Sequence, residues 1–270
     1  MTADRSGGGA APGSYAFGDT AVASRRLDVL ASVFGPTSLS LLADLPSRST
    51  PARRVLDLGC GPGHTTAMLA GAFAGAEVTG IDASDAFVAE ATAVRGSRCR
   101  YQVADVTGPS LPGAPADLIY ARFLVVHLPD PHGAMAGWAG QLAPGGLLVV
   151  EEPERIETED PDFRRYLALA AVVVEARGGD LYAGRLLTAG PPALPGTALV
   201  FVRSSALDVP VGRAATIFSL NLDTWKDDPA VVAVAGPGET AALAERLESR
   251  RSDPATGAIR WWMTQLVVRR

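Results

Sequence analysis

The stretch Arg54-Val55-Leu56-Asp57-Leu58-Gly59-Cys60-Gly61-Pro62-Gly63-His64-Thr65-Thr66 decides how this chain folds. Val55, Leu56 and Leu58 make the near-continuous apolar run of a parallel strand covered on both faces. Gly59, Gly61 and Gly63 then allow a tight turn and a close approach to a ligand, because no Cβ stands in the way. A helix that opens directly after them aims its free N–H groups at the same place. Strand, glycine turn and helix together form the mouth of a nucleotide-like site.

Spacing separates two cofactor classes. A dinucleotide fingerprint, G-x-G-x-x-G, requires glycine at position 64, where this chain carries His64. The pattern is instead Asp57-x-Gly59-x-Gly61-x-Gly63, with a carboxylate at the strand end. S-adenosylmethionine (SAM) bears a cationic amino group and a sulfonium, so an acid that would repel a pyrophosphate favours it. A second strand, Glu77-Val78-Thr79-Gly80-Ile81, runs into Asp82, about 20 residues past the turn, where a carboxylate accepts both ribose hydroxyls. A third, Arg100-Tyr101-Gln102-Val103-Ala104, runs into Asp105, suited to an adenine amino group. Three successive strands ending in aspartate at one sheet edge point to SAM.

With these pieces in place, the chain resembles the class I SAM-dependent methyltransferases, in the small-molecule branch similar to the ubiquinone and menaquinone C-methyltransferases. The motifs that carry the resemblance are Val55 to Gly63, Gly80-Ile81-Asp82 and Ala104-Asp105-Val106, then Ala116 to Arg122 with His127-Leu128-Pro129-Asp130, and Leu142 to Leu148. They stand in family order. The resemblance implies an α/β fold: a doubly wound, Rossmann-like, seven-stranded, mostly parallel sheet with an antiparallel last strand and helical lid elements. It implies that Asp57, Gly59, Cys60, Gly61, Pro62, Gly63, Asp82, Ala83, Asp105, Val106 and Arg122 contact SAM, with S-adenosylhomocysteine (SAH) as product.

Composition agrees. A 270-residue chain with 47% hydrophobic content can bury one sizeable core. Net charge is −5 and Lys226 is the only lysine among 24 basic residues, so the basic footprint of a nucleic-acid binder is missing. Without a signal peptide or a long apolar span, a cytoplasmic protein is expected. Two cysteines, one inside the glycine turn, do not suggest a disulfide framework. The expected organisation is a disordered tail over 1–13, an N-terminal helical lid over 14–46, and a SAM-binding domain over 47–270 with a helical insertion near 209–256. In the lid, Gly35-Pro36 is expected to end a first helix before a second begins.

Methyl transfer from a sulfonium is an in-line displacement from an activated leaving group, so alignment and a dry site matter most. Catalytic candidates are Arg122 and His127 after the fourth strand and Tyr15 in the lid. His127 has the titration range of a base, with a positioning role as its alternative. Glu151 and Glu152 follow the fifth strand, where alternation sends one to the cavity and the other to solvent or a neighbouring helix; a surface or salt-bridged role for both is the stronger expectation. His64 and His132 read as exposed residues near helix starts.

Adenine-N6 DNA, cytosine-C5, protein-arginine and metal-dependent catechol subclasses each require residues this chain lacks at the matching place, so no metal is expected. What remains is transfer to a small, aromatic or lipophilic acceptor in bacterial specialised metabolism, at C, N or O. No nucleic acid or membrane partner is expected, and a homodimer stays open. The alternatives are a catalytically inactive SAM-binding regulator and an NAD-dependent oxidoreductase.

Overall fold

The computed structural model describes residues 18–46, 51–189, 193–251 and 257–270. Tyr15, Phe17 and the tail over 1–13 lie outside them. Seven strands form one sheet: β1 (Arg54–Leu58), β2 (Glu77–Asp82), β3 (Arg100–Val103), β4 (Ala116–Arg122), β5 (Leu142–Glu157), β6 (Ala198–Pro210) and β7 (Ala258–Arg269), in the order β3-β2-β1-β4-β5-β7-β6. The first five run parallel, and β7 is antiparallel to both β5 and β6. This is the Rossmann-like arrangement expected from the sequence.

Local chemistry fixes where the helices start. Glycine turn gives way to α2 (His64–Ala72). The Ser84 hydroxyl accepts the Phe87 N–H at 3.1 Å and opens α3 (Asp85–Arg95). Asp130 and Asp160 cap α4 (Pro131–Gly140) and α5 (Pro161–Glu175), each with proline at the first helical position, where its missing N–H costs nothing. The sheet order reverses between β1 and β4, so a crevice opens at their carboxyl ends, the place where such sheets bind ligands.

The remaining helices build the cover: α1 (Ala21–Ala43), α6 (Gly184–Thr188), α7 (Val211–Trp225), α8 (Pro229–Val232) and α9 (Glu239–Arg251). Helices α7 to α9 occupy the connection between β6 and β7, where the insertion near 209–256 is expected. One buried cluster joins Leu30 and Phe34 of α1 to Phe163, Tyr166 and Val173 of α5, to Phe218 and Leu222 of α7 and to Trp261 of β7.

Two expectations are corrected. Helix α1 is continuous through Gly35-Pro36, because Phe34 and Leu41, on either side of the proline, are both buried in the core; packing outweighs the hydrogen bond that proline removes. Strand β5 is far longer than the stretch Leu147–Val150 that the sequence after Gly145-Gly146 marks as the fifth strand, because β7 pairs with it as far as Glu157.

Candidate active site

Gly59, Gly61 and Gly63 all adopt positive φ, at 64°, 51° and 88°, a region that costs a side chain dearly. A Cβ on Gly59 would also stand 2.9 Å from Leu124 Cδ1. The turn is clamped by Asp82, whose two carboxylate oxygens accept the Gly61 N–H at 2.8 Å and the Ser84 N–H at 2.9 Å. Burial holds the Asp82 carboxyl above its ordinary value, against those two bonds. Asp105 accepts the N–H and hydroxyl of Thr107 at 2.8 and 2.7 Å. Gly59, Cys60, Gly61, Pro62, Asp82, Ala83, Asp105, Val106, Arg122 and His127 all line one cavity of about 1060 Å³.

Asp57 and Gly63 do not line it. Asp57 is 1% exposed, and its Oδ2 accepts the Thr66 hydroxyl at 2.6 Å. It buttresses the turn from inside, tying β1 to α2, rather than standing at the mouth as expected. Desolvation pushes its carboxyl up to about 7, as burial of a charge demands.

Arg122 ends β4 with its guanidinium on the hydroxyls of Ser38 at 2.9 Å and Thr65 at 3.3 Å, so it joins α1, α2 and the cavity floor. Phe123 follows with φ of 55°, a strained conformation for a bulky residue, costing of the order of 1–3 kcal/mol. Its amide donates to the Glu151 carbonyl at 3.1 Å. The segment is held beneath by Glu152, whose Oε1 accepts the N–H groups of Leu124 and Val125. Glu152 is wholly buried, and desolvation raises its carboxyl to about 8.

Glu151 is buried too, between the Tyr120 hydroxyl and the Gln265 amide. Neither acid lines the cavity and neither lies at the surface, contrary to the alternation argument. Both strand faces are covered here, so the two acids turn inward, Glu152 to backbone N–H groups and Glu151 to buried side chains.

His127 lies in the short 3-10 turn Val125–His127 and lines the cavity. Burial, then the cations of Arg26 and Arg177, push its imidazole down to about 3. A general base works best with a pKa near the operating pH, so of the two roles open to His127 a neutral, positioning imidazole suits this environment better. His132 is exposed as expected. His64 is not: its Nε2 lies 2.5 Å from Asp28 of α1 and its Nδ1 2.9 Å from Arg95 of α3. Burial and the Arg95 cation hold it below the ordinary histidine value.

Away from the glycine turn, the cavity widens between α1, α5, α7 and β7. Leu27, Leu30, Phe123, Ile156, Tyr166, Leu167, Leu181, Ile217, Phe218 and Trp261 give it apolar, ring-rich walls. Among the aromatic residues of the cover, Tyr166 and Phe218 line it, while Phe34 and Trp225 pack behind; Tyr182 lies under the Arg185 guanidinium at 4.7 Å. Phe123, Asn221 and Trp261 escape the sequence reading. A glycine-free turn after β4 is the one signal that could have drawn attention to Phe123.

Among the described residues no group of three or more His, Cys, Asp or Glu could hold a metal ion, and no helix is long and apolar enough to cross a membrane.

Comparison with known proteins supports the methyltransferase reading. Residues 55–146 match the family model described as a methyltransferase domain. A trans-aconitate 2-methyltransferase from Methylobacterium radiotolerans is 36% identical over 175 residues, 65% of each chain. Another from Variovorax paradoxus is 37% identical over 131 residues, 48% of this chain and 49% of its own. The chain thus spans between about half and two thirds of the curated relatives it matches. The solved cyclase SpnF superposes with a TM-score of 0.55 at 20% identity, over 90% of this chain and 92% of its own. That likeness shows the fold, which hosts more than one chemistry. A special relation to the quinone C-methyltransferases does not emerge.

Proposed function

We propose that this chain, whose residues 55–146 make up a methyltransferase domain of the class I, SAM-dependent kind, transfers a methyl group to a small, largely apolar acceptor held beneath α1, α5 and α7. The observation that carries the reading is the single cavity that runs from the glycine turn and its acids into an aromatic chamber. Its volume, about 1060 Å³, lies at the upper end of single-ligand pockets and suits a cofactor and an acceptor side by side.

The residues present fit SAM. A Cβ-free turn allows close approach, Asp82 and Asp105 offer carboxylates at separate strand ends, and Arg122 offers a guanidinium on the same wall. In this reading Asp82 takes the ribose hydroxyls, Asp105 the adenine amino group, and Arg122 the amino-acid carboxylate. When bound, SAM supplies an activated methyl group on a sulfonium sulfur. This chain's part is to align the acceptor and exclude water. Leu27 and Leu30 of α1, with Phe123, give the cavity an apolar, dry wall, and His127 positions as a neutral imidazole.

The catalytic unit is then the sheet domain over 47–270, covered by α1 and by the helical insertion between β6 and β7. An acceptor of this kind fits specialised metabolism. Arg26 and Arg122 in the cavity wall favour a second reading, in which a polycarboxylate such as trans-aconitate is methylated. Incubation with methyl-deuterated SAM and either trans-aconitate or panels of aromatic and polyketide-like compounds separates the two. Mass spectrometry is expected to find the trideuteromethyl group on the apolar compounds; labelled product from trans-aconitate alone favours the second reading, and no product from any panel sinks methyl transfer.

A further inference from the structure

A row of polar residues crosses the sheet beside the cofactor end of the cavity. Arg122 of β4 stands opposite Glu151 of β5, Glu151 opposite Gln265 of β7, and Gln265 opposite Arg203 of β6. Residues directly opposite each other across strands share one face of a sheet, here the face that α1 covers with Ser38 and Leu41. Glu151 and Gln265 are 1% and 2% exposed. Tyr120, two positions before Arg122 and so on the same face, is wholly buried.

Hydrogen bonds converge on Glu151 from both ends of this row. From the cavity side, the Arg122 guanidinium donates to Ser38 Oγ at 2.9 Å, the Ser38 hydroxyl bonds the Tyr120 hydroxyl, and Tyr120 gives its own proton to Glu151 Oε1. From the other side, Arg203 Nε donates to Gln265 Oε1 at 2.8 Å, and Gln265 Nε2 donates to Glu151 Oε2 at 2.8 Å. Arg203 also reaches Asp44, at the end of α1, at 2.9 Å.

Register sets Glu151 beside Arg122, yet its two oxygens go to Tyr120 and Gln265, and two hydroxyls carry its hold on to the guanidinium. Arg122 is thereby oriented without being used up. Ser38 and Thr65 each take one N–H, from Nη1 and Nη2, and each of those nitrogens carries a second. Arg122 lines the cavity, and a fork held in this way is suited to a carboxylate.

We propose that Tyr120 and Glu151 are positioning residues for the cofactor: acting through Ser38, they fix the Arg122 guanidinium that takes its amino-acid carboxylate. This rests on the methyl-transfer reading and on the part Arg122 plays in it. A binding group needs such support from the residues behind it to keep one geometry. A row that served only the packing of the sheet would affect every ligand alike. One that acts through Arg122 affects only ligands bearing the carboxylate.

The test uses the full chain and calorimetry with two ligands, SAH and methylthioadenosine, which keeps the adenosine and the sulfur but lacks the amino-acid end. The wild type is expected to bind SAH at least about tenfold more tightly than methylthioadenosine, and Arg122→Ala to erase most of that difference. Tyr120→Phe and Glu151→Gln are each expected to weaken SAH at least about fivefold, while methylthioadenosine stays within about twofold. In the Arg122→Ala background either change should cost SAH no more than about twofold further, because residues acting through one contact are not additive. Ser38→Ala, which a helix favours, breaks the same link and carries the same expectation, so it decides if the buried variants do not fold. Equal losses for both ligands, unchanged SAH affinity in the folded variants, or a full further loss without Arg122 would overturn the proposal. A wild type that binds the two ligands alike would overturn it too and leave methyl transfer standing. If neither ligand binds the wild type, the methyl-transfer reading falls and this inference falls with it.

Discussion

Glu152 accepts the Val125 N–H at 2.7 Å, and through the same oxygen the Leu124 N–H at 2.8 Å, so a buried acid fastens from beneath the segment on which Phe123, Leu124 and His127 face the cavity. Its carboxyl is raised from 4.5 to about 8 by burial. Below about pH 4.5 the group is protonated in both states and its contribution to stability is fully present. As pH rises toward 8 the unfolded chain ionises first and that contribution is lost, at about 1.4 kcal/mol per unit. Glu152→Gln keeps an oxygen for the two amides but cannot ionise. Relative to wild type, the variant should gain roughly 2–4 kcal/mol between pH 5 and pH 8. Urea titrations at the two pH values would show it; parallel slopes for both proteins would refute the buried, neutral acid.

Asp82 and Asp57 should separate cleanly, since one lines the cavity and the other does not. Asp82→Ala is expected to weaken SAM binding by roughly 10- to 100-fold, the loss of a charge-assisted contact worth about 1.5–3 kcal/mol. Asp57→Ala leaves the Thr66 hydroxyl without its partner and should lower stability by about 1–3 kcal/mol, with the smaller effect on affinity. Calorimetry beside thermal melts gives both numbers, and unchanged SAM affinity in Asp82→Ala would remove the assigned ribose contact.

For His127, an imidazole held at about 3 against an ordinary 6.5 stays neutral throughout the working range. The stability linked to it is present above pH 6.5 and is lost as pH falls toward 3, because only the unfolded chain takes up the proton. His127→Gln should flatten that acid limb. It should also cost less than about 100-fold in kcat, partly through KM, below the usual range for removing a general base. A wild-type rate profile with a limb near pH 6.5 that disappears in the variant would restore the base role.

Much of the site is legible because it is local. The glycine turn, the acids at strand ends and the proline-capped helix starts are set within a few residues, so spacing alone reveals them. Orientation is another matter. Asp57, between Leu56 and Leu58 in a strand covered on both faces, carries no amphipathic signal to say which way it points. Glu151 and Glu152 mislead for the same reason. Asn221 looks like any polar residue on an amphipathic helix; its meaning lies in Tyr166, 55 positions away. Pro36 fails as a breaker because Phe34 and Leu41 are anchored in different parts of the core, a fact no local rule contains.

The last prediction concerns α1. Leu27, Leu30 and Ala31 line the cavity, and the Phe34 ring packs edge-on against Phe123 and Trp261 at 5.0 and 5.1 Å. Asp28 reaches His64, and Ser38 reaches Arg122, so this helix is tied to the cofactor turn and to the acceptor chamber at once. Deleting residues 1–34 takes away the wall and the Asp28 tie but keeps Leu41 and Leu42, which pack under the sheet. The shortened protein should stay folded and bind SAM more weakly, yet lose turnover, because nothing then excludes water or holds the acceptor in line. Phe34→Ala is the milder version: truncating a buried phenylalanine costs about 3–5 kcal/mol, and here the resulting void opens onto the chamber, so KM for the acceptor should rise more than SAM affinity falls. Removing only residues 1–12 should change little. The three proteins can be compared by circular dichroism, SAM calorimetry and methyl transfer; full activity in the chain lacking residues 1–34 would mean that α1 merely packs on the sheet and that the acceptor is enclosed by α5 and α7 alone.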